Sequence, residues 1–202
     1  DPDNIGVYET LVKGISLLAK LPSIACYAYQ SKVHYFNRDS LVIHYANPQY
    51  SIAENFLSLL RKDQKFSIKE AGLLDTILIL HADHGGGNNS TFTNVVISST
   101  DTDIYSTMSG SIGSLKGPRH GGANIKVAEM MDAVLEEVGG YEADDRKIRK
   151  AVEKLMDGEL YDRTGLVYGF GHAVYTISDP RADILKACCD AVAKEKGLMT
   201  EL

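Results

Sequence analysis

The sequence predicts an all-α protein, and three observations carry that expectation. Two serines each stand three residues ahead of a glutamate at the head of an apolar run, Ser51 with Glu54 and Ser67 with Glu70, which is the signature of a capping box. Apolar residues recur at helical rather than alternating spacing along most of the 202 residues. The one stretch whose composition suits a strand, the Thr-, Ser-, Val- and Ile-rich residues 91–112, is long and has no internal proline. Its apolar positions 92, 95, 96, 104, 105, 108 and 112 do not alternate, so it too is expected to be helical.

Taken in order, residues 8–21 carry apolar side chains at 11, 12, 15, 18, 19 and 21, and Pro22 is expected to end or kink that helix. The segment opened by Ser51 is a short amphipathic helix. The one opened by Ser67 becomes strongly apolar over 73–80, as a buried helix would, and runs into His81 and His84 before Gly85, Gly86 and Gly87 stop it. Residues 123–140 read as a helix stopped by Gly139 and Gly140. A charged helix follows over 142–158 with Ile148, Val152 and Leu155 on one face. The last helix has Asp179 as N-cap, Pro180 in its first turn and Gly197 as its stop. The Gly- and Pro-containing residues 117–122 are the expected hinge.

Composition narrows the function. With 44% hydrophobic and 24% charged residues the chain has enough apolar material for a real core. The net charge of −6, with the acidic excess mostly in residues 120–202, argues against a broad nucleic-acid surface. No apolar run reaches the length of a membrane span, and the start of the chain lacks the pattern of a signal peptide, so a cytoplasmic protein is expected. Cys26, Cys188 and Cys189 have neither disulfide nor zinc spacing.

Four of the six histidines fall in three glycine-marked places. In "HADHGGGNN", residues 81–89, two imidazoles three residues apart at a helix end suit a metal, a cation favoured by the helix dipole, or an anion clamp. In "SLKGPRHGGAN", residues 114–124, His120 stands just before a helix whose N-terminus disfavours an imidazolium. A neutral imidazole there can donate to a developing oxyanion, or it can serve only as a cap or turn residue. In "YGFGHAVYTISDPR", residues 168–181, two glycines precede His172, and Arg181 sits in the first turn of the next helix, an arrangement that suits a carboxylate-bearing substrate. The G-x-G there lacks the strand and third glycine of a dinucleotide site. His34 and His44 read as structural or surface residues of a connecting segment. A metal-dependent hydrolase built on His81, His84, His120 and His172 lacks paired carboxylates or further ligands near them.

Together "HADHGGGNNSTFT", "LKGPRHGGAN" and "GFGHAVYTISDPR", in this order, resemble the citrate synthase family and its methylcitrate-forming relatives, and "LLAKLPSIACYAY" and "SIAENFLSLL" extend the likeness upstream. The resemblance implies an all-α fold in which residues 1–119 are the C-terminal part of a large helical domain and residues 120–202 part of a small closing domain. It also implies a homodimer, with oxaloacetate and acetyl-CoA as substrates rather than any cofactor or metal, and an acyltransferase of the tricarboxylic acid cycle. Propionyl-CoA, giving 2-methylcitrate, is the alternative substrate, and a non-catalytic binding module is the alternative class. By the same resemblance His84 binds oxaloacetate and His120 donates to the thioester oxygen. His172 polarises the oxaloacetate carbonyl, and Arg181 binds a carboxylate. Thr176 replaces a basic residue that many relatives place on coenzyme A phosphate, and the family's catalytic aspartate lies downstream of Leu202. The chain therefore resembles an internal portion of the enzyme, expected to be inactive alone.

Overall fold

In the computed structural model, residues 5–171 and 175–198 are described, and among them the only regular secondary structure is eight α-helices. They fall into two compact units. The first, Asp1–Gly85 with Ser178–Leu202, holds α1 (Val7–Asn37), α2 (Ile52–Leu60), α3 (Ile68–His81) and α8 (Pro180–Glu195). The second, Gly86–Ile177, holds α4 (Asn89–Ser98), α5 (Ile104–Leu115), α6 (Ala123–Val138) and α7 (Asp145–Met156). Residues 117–122 lie inside the second unit.

Local chemistry starts most of these helices. Ser51 and Ser67 each accept a hydrogen bond from the backbone N–H of the glutamate three residues on, and each glutamate carboxylate reaches back to the serine N–H, so both capping boxes form. Asn88, Asp103, Asp144 and Asp179 cap α4, α5, α7 and α8, and Pro180 opens α8. The stretch 91–112 is helical, though not continuous. It folds back as α4 and α5 around a turn in which Asp101 has φ 57°, and the two helices pack on each other.

Pro22 does not end α1, which runs through it for 31 residues and takes in His34 as well. Proline at this position removes a backbone donor and normally breaks a helix. Here Pro22, Cys26 and Gln30, spaced four apart, are the buried stripe of α1 and pack on α2, so tertiary contact holds the helix together. Gln30 donates through Nε2 to the Leu60 carbonyl at 2.8 Å, which supplies the exposed end of α2 with a partner. Because the helix continues, its most apolar 18-residue window reaches a mean hydropathy of 1.3. By length and composition alone α1 could therefore cross a membrane, which the broken pattern had not suggested. Within this chain only 11% of that window is buried.

Helix α3 is not the buried helix that its apolar run suggests. Only Ala71 is fully buried, while Leu78 and Ile79 are exposed. Its partners within the unit are α2 and α8.

Candidate functional site

Helices α3 and α8 run antiparallel, and polar contacts tie them at both ends. At one end Glu70 takes the Arg61 guanidinium on both carboxylate oxygens, at 2.7 and 3.0 Å, and also meets the Lys196 ammonium. These hydrogen bonds, Arg61 first, then Lys196 and the Ser67 backbone N–H, hold the Glu70 carboxyl far below the usual carboxylate range. At the other end Arg181 donates through Nη1 to the carbonyl of Asp83 at 3.1 Å. The first turn of α8 is thereby fixed beside the residue that precedes His84.

Arg181 stands where the sequence placed it, and it is held in a defined orientation. Its Nε donates to both Asp179 oxygens at 3.0 and 3.1 Å and its Nη2 to Oδ2 at 2.6 Å. Asp179 also caps the helix by accepting from the Arg181 backbone N–H at 3.0 Å. One carboxylate thus serves as both cap for α8 and charge-assisted partner of the guanidinium.

His84 is not on the end of α3. The helix stops at His81, and His84 lies in the exposed turn beyond it. Its Nδ1–H donates to the Gly85 carbonyl at 2.8 Å, which fixes one edge of the ring. His81 donates through Nδ1 to the carbonyl of Ile77 at 2.7 Å, bonding back to its own helix. Among the described residues no three His, Cys, Asp or Glu side chains converge as a metal site would require.

In the second unit His120 occupies the tight turn between α5 and α6. Gly121 and Gly122 follow because nothing else fits. A Cβ on Gly122 would stand 2.6 Å from the Lys116 carbonyl oxygen and 2.7 Å from that of Gly117, and one on Gly121 would stand 2.6 Å from Leu115 Cδ1. These glycines let the chain pass close to itself. The Gly122 N–H reaches back to both the Leu115 and Gly117 carbonyls, and the His120 N–H to Gly117. Half-buried His120 is therefore held on a hydrogen-bonded turn three residues before α6.

Its partner, Ser90 in the first turn of α4, was not identified from the sequence. Ser90 Oγ lies 2.8 Å from His120 Nε2 and 3.0 Å from the Ser111 carbonyl oxygen. The hydroxyl has one proton and two acceptors in reach. When it donates to His120, Nε2 is the bare nitrogen and the imidazole proton sits on Nδ1, ready for a ligand. When it donates to Ser111, Nε2–H donates to Ser90 instead and Nδ1 is bare. Ser90 therefore governs which nitrogen of a neutral His120 can donate. Asn88 caps α4 and so places half-buried Ser90 in the first turn of that helix, but nothing in the residue spacing points from there to His120.

His172 lies outside the described residues. The site residues that are described thus form two groups: His84 with Asp179 and Arg181 in the first unit, and Ser90 with His120 in the second.

The family model described as "Citrate synthase, C-terminal domain" matches residues 2–202. The chain is 37% identical over 181 residues to a 2-methylcitrate synthase of Shewanella oneidensis, covering 90% of this chain and 43% of that protein. It is 38% identical over 192 residues to a citrate synthase of Haloferax volcanii, covering 94% of this chain and 45% of that protein. Among solved structures, the citrate synthase of Thermotoga maritima superposes with a TM-score of 0.65 at 30% identity over 96% of this chain and 46% of that one. That of Pyrobaculum aerophilum gives 0.68 at 31% identity over 90% and 40%. The chain spans less than half the length of these relatives.

Proposed function

The chain belongs to the citrate synthase family, and from that premise we propose that it carries part of the active site of an enzyme that condenses oxaloacetate with acetyl-CoA to give citrate and free coenzyme A. In this reading the complete enzyme is a cytoplasmic homodimer and residues 120–202 belong to its closing domain. The observation that carries the reading is the Ser90–His120 contact. It controls the proton of an imidazole on a hydrogen-bonded turn, as a donor to a developing enolate oxygen requires.

The roles follow from the chemistry. A base removes a proton from the methyl group next to the thioester, and the Nδ1–H of His120 stabilises the charge that gathers on the thioester oxygen. The enol carbon attacks the ketone carbon of oxaloacetate, and the new C–C bond pushes electrons onto the ketone oxygen, where His172 supplies a proton. Arg181, oriented by Asp179, and His84 hold the dicarboxylate. Water then cleaves the thioester and releases the thiol. The base is contributed from beyond these residues, so the isolated chain is expected to turn over negligibly.

A thiol-release assay with oxaloacetate tests this directly. The complete enzyme should release coenzyme A from acetyl-CoA, and the isolated chain should fall short by at least the ~10²–10⁴-fold that general-base catalysis contributes. Turnover by the chain alone near that of the complete enzyme would mean that the base is among its own residues. The likeness to a 2-methylcitrate synthase favours a second reading, with propionyl-CoA as the thioester, and the ratio of kcat/KM for the two thioesters decides between them. A binding module without turnover would show heat of oxaloacetate binding in titration calorimetry and no thiol release by the complete protein.

A further inference from the structure

The segment that leads from α7 toward His172 is wound unusually tightly. Gly158, Tyr161, Arg163, Gly165, Gly169 and Gly171 all have positive φ, and Tyr161 and Arg163, at 60° and 59°, do so with side chains that disfavour it. Such conformations persist only where surrounding contacts over-determine them. The contacts here come from one face of α6. Tyr161 Oη donates to the Glu129 carboxylate at 2.6 Å, and the Tyr168 backbone N–H lies 3.3 Å from Met130 Sδ. Gly169 passes so near Val127 that a Cβ would stand 3.1 Å from its Cγ2.

At the centre is Lys126. Its ammonium lies 3.6 Å from Asp162 Oδ2 and over the faces of both Tyr161 and Tyr168, at 5.3 and 5.9 Å from the ring centroids. The two rings meet edge to face at 6.0 Å. Asp162 accepts in turn from the hydroxyls of Thr164 and Tyr168, both at 2.7 Å. Those two hydrogen bonds first, with the charge of Lys126 as a smaller contribution, hold its carboxyl down to about 2, so it remains an ionised acceptor at neutral pH. A lone surface ion pair would be worth little. Lys126 instead meets one carboxylate and two aromatic faces at once, and all three belong to the turn it holds.

We propose that Lys126 is a positioning residue. It binds the turn 161–169 to the first two turns of α6, the helix that His120 precedes, and so fixes the path on which the Gly169-Phe170-Gly171 segment leaves α6. One helix thus serves two described segments: His120 stands on the turn that leads into it, and residues 161–169 are fastened along its side. This inference rests on the citrate-forming reading, in which His172 acts on the ketone.

The test uses the complete enzyme and two variants, Lys126→Met, which keeps the stem and removes the charge, and Lys126→Arg, which keeps the charge. A displaced reacting group costs up to roughly 100-fold. Lys126→Met should therefore lower kcat by roughly 10–100-fold while KM for the thioester changes much less, and Lys126→Arg should recover most of the loss. In the same protein, amide exchange of Leu166–Gly171 should quicken in Lys126→Met, with α7 unaffected. If Lys126→Met folds poorly, Tyr168→Phe removes only the hydroxyl on Asp162 and should move both readouts in the same direction. Unchanged exchange overturns the proposal, and so does quickened exchange with an unchanged kcat. Wild-type enzyme without turnover overturns the reading on which it rests, a result distinct from an active wild type beside an equally active variant.

Discussion

At the scale of single residues, the site depends on side chains that hold other side chains. Asp179 spends one carboxylate on capping α8 and orienting Arg181, and Ser90 governs the imidazole proton of His120. Removing the Ser90 hydroxyl leaves the turn and its glycines in place, so the fold should tolerate Ser90→Ala. The loss is one hydrogen bond of about 1 kcal/mol, on the order of a five- to tenfold fall in rate. In the complete enzyme Ser90→Ala should lower kcat by that order with the melting temperature nearly unchanged. An unchanged kcat would show that His120 needs no help in choosing its tautomer. Residue types and glycine markers pointed to His84, His120 and Arg181 from sequence, whereas Ser90 did not stand out, because its meaning comes from a partner thirty residues away.

At the scale of elements, the clamp between α2, α3 and α8 is electrostatic at one end. Glu70 has its carboxyl depressed in the folded state by Arg61 first and by Lys196 next. A carboxylate with a depressed folded pKa stabilises the fold above its unfolded value of about 4.3, and that contribution is lost as pH falls toward the folded value. Acid unfolding monitored by circular dichroism should therefore show a loss of stability below about pH 4 that Glu70→Gln largely removes. At neutral pH the same variant should be less stable by on the order of 1 kcal/mol, the value for a charged hydrogen-bonded pair reduced for the partial exposure of Arg61. If Glu70→Gln leaves the acid limb of the curve where it was, the clamp contributes nothing and α8 is held by its apolar contacts alone.

At the scale of the whole molecule, the exposed apolar residues are the dominant fact. Leu11, Ile15 and Leu18 continue the stripe of Pro22, Cys26 and Gln30 toward the start of α1, yet they are 59%, 59% and 52% exposed. Helix α2 has nine residues against the 31 of α1 and covers only the later half of that stripe. Uncovered apolar faces of this kind drive association. The purified chain should bind a hydrophobic dye strongly and elute in sedimentation or size-exclusion runs as concentration-dependent oligomers. Leu11→Lys with Ile15→Lys should shift it toward the monomer. A chain that stays monomeric and dye-negative at high concentration would show that α1 repacks in solution.

The sequence by itself determined what local chemistry decides. Capping boxes at Ser51 and Ser67, the Asp179-Pro180 start of α8 and the Gly139 stop of α6 involve atoms within a few residues of one another, so their patterns are legible without a fold. The all-α class and the order of the three histidine motifs follow from the same short-range information. Tertiary structure alone decided the rest. Whether Pro22 breaks α1 depends on α2 lying against it, and whether α3 is buried depends on how many elements cover it. Why Gly122 must be glycine depends on the backbone of residues 116 and 117 passing within reach of its missing Cβ. Each is a distance between parts of the chain that become neighbours only on folding, and residue spacing carries no record of such a distance.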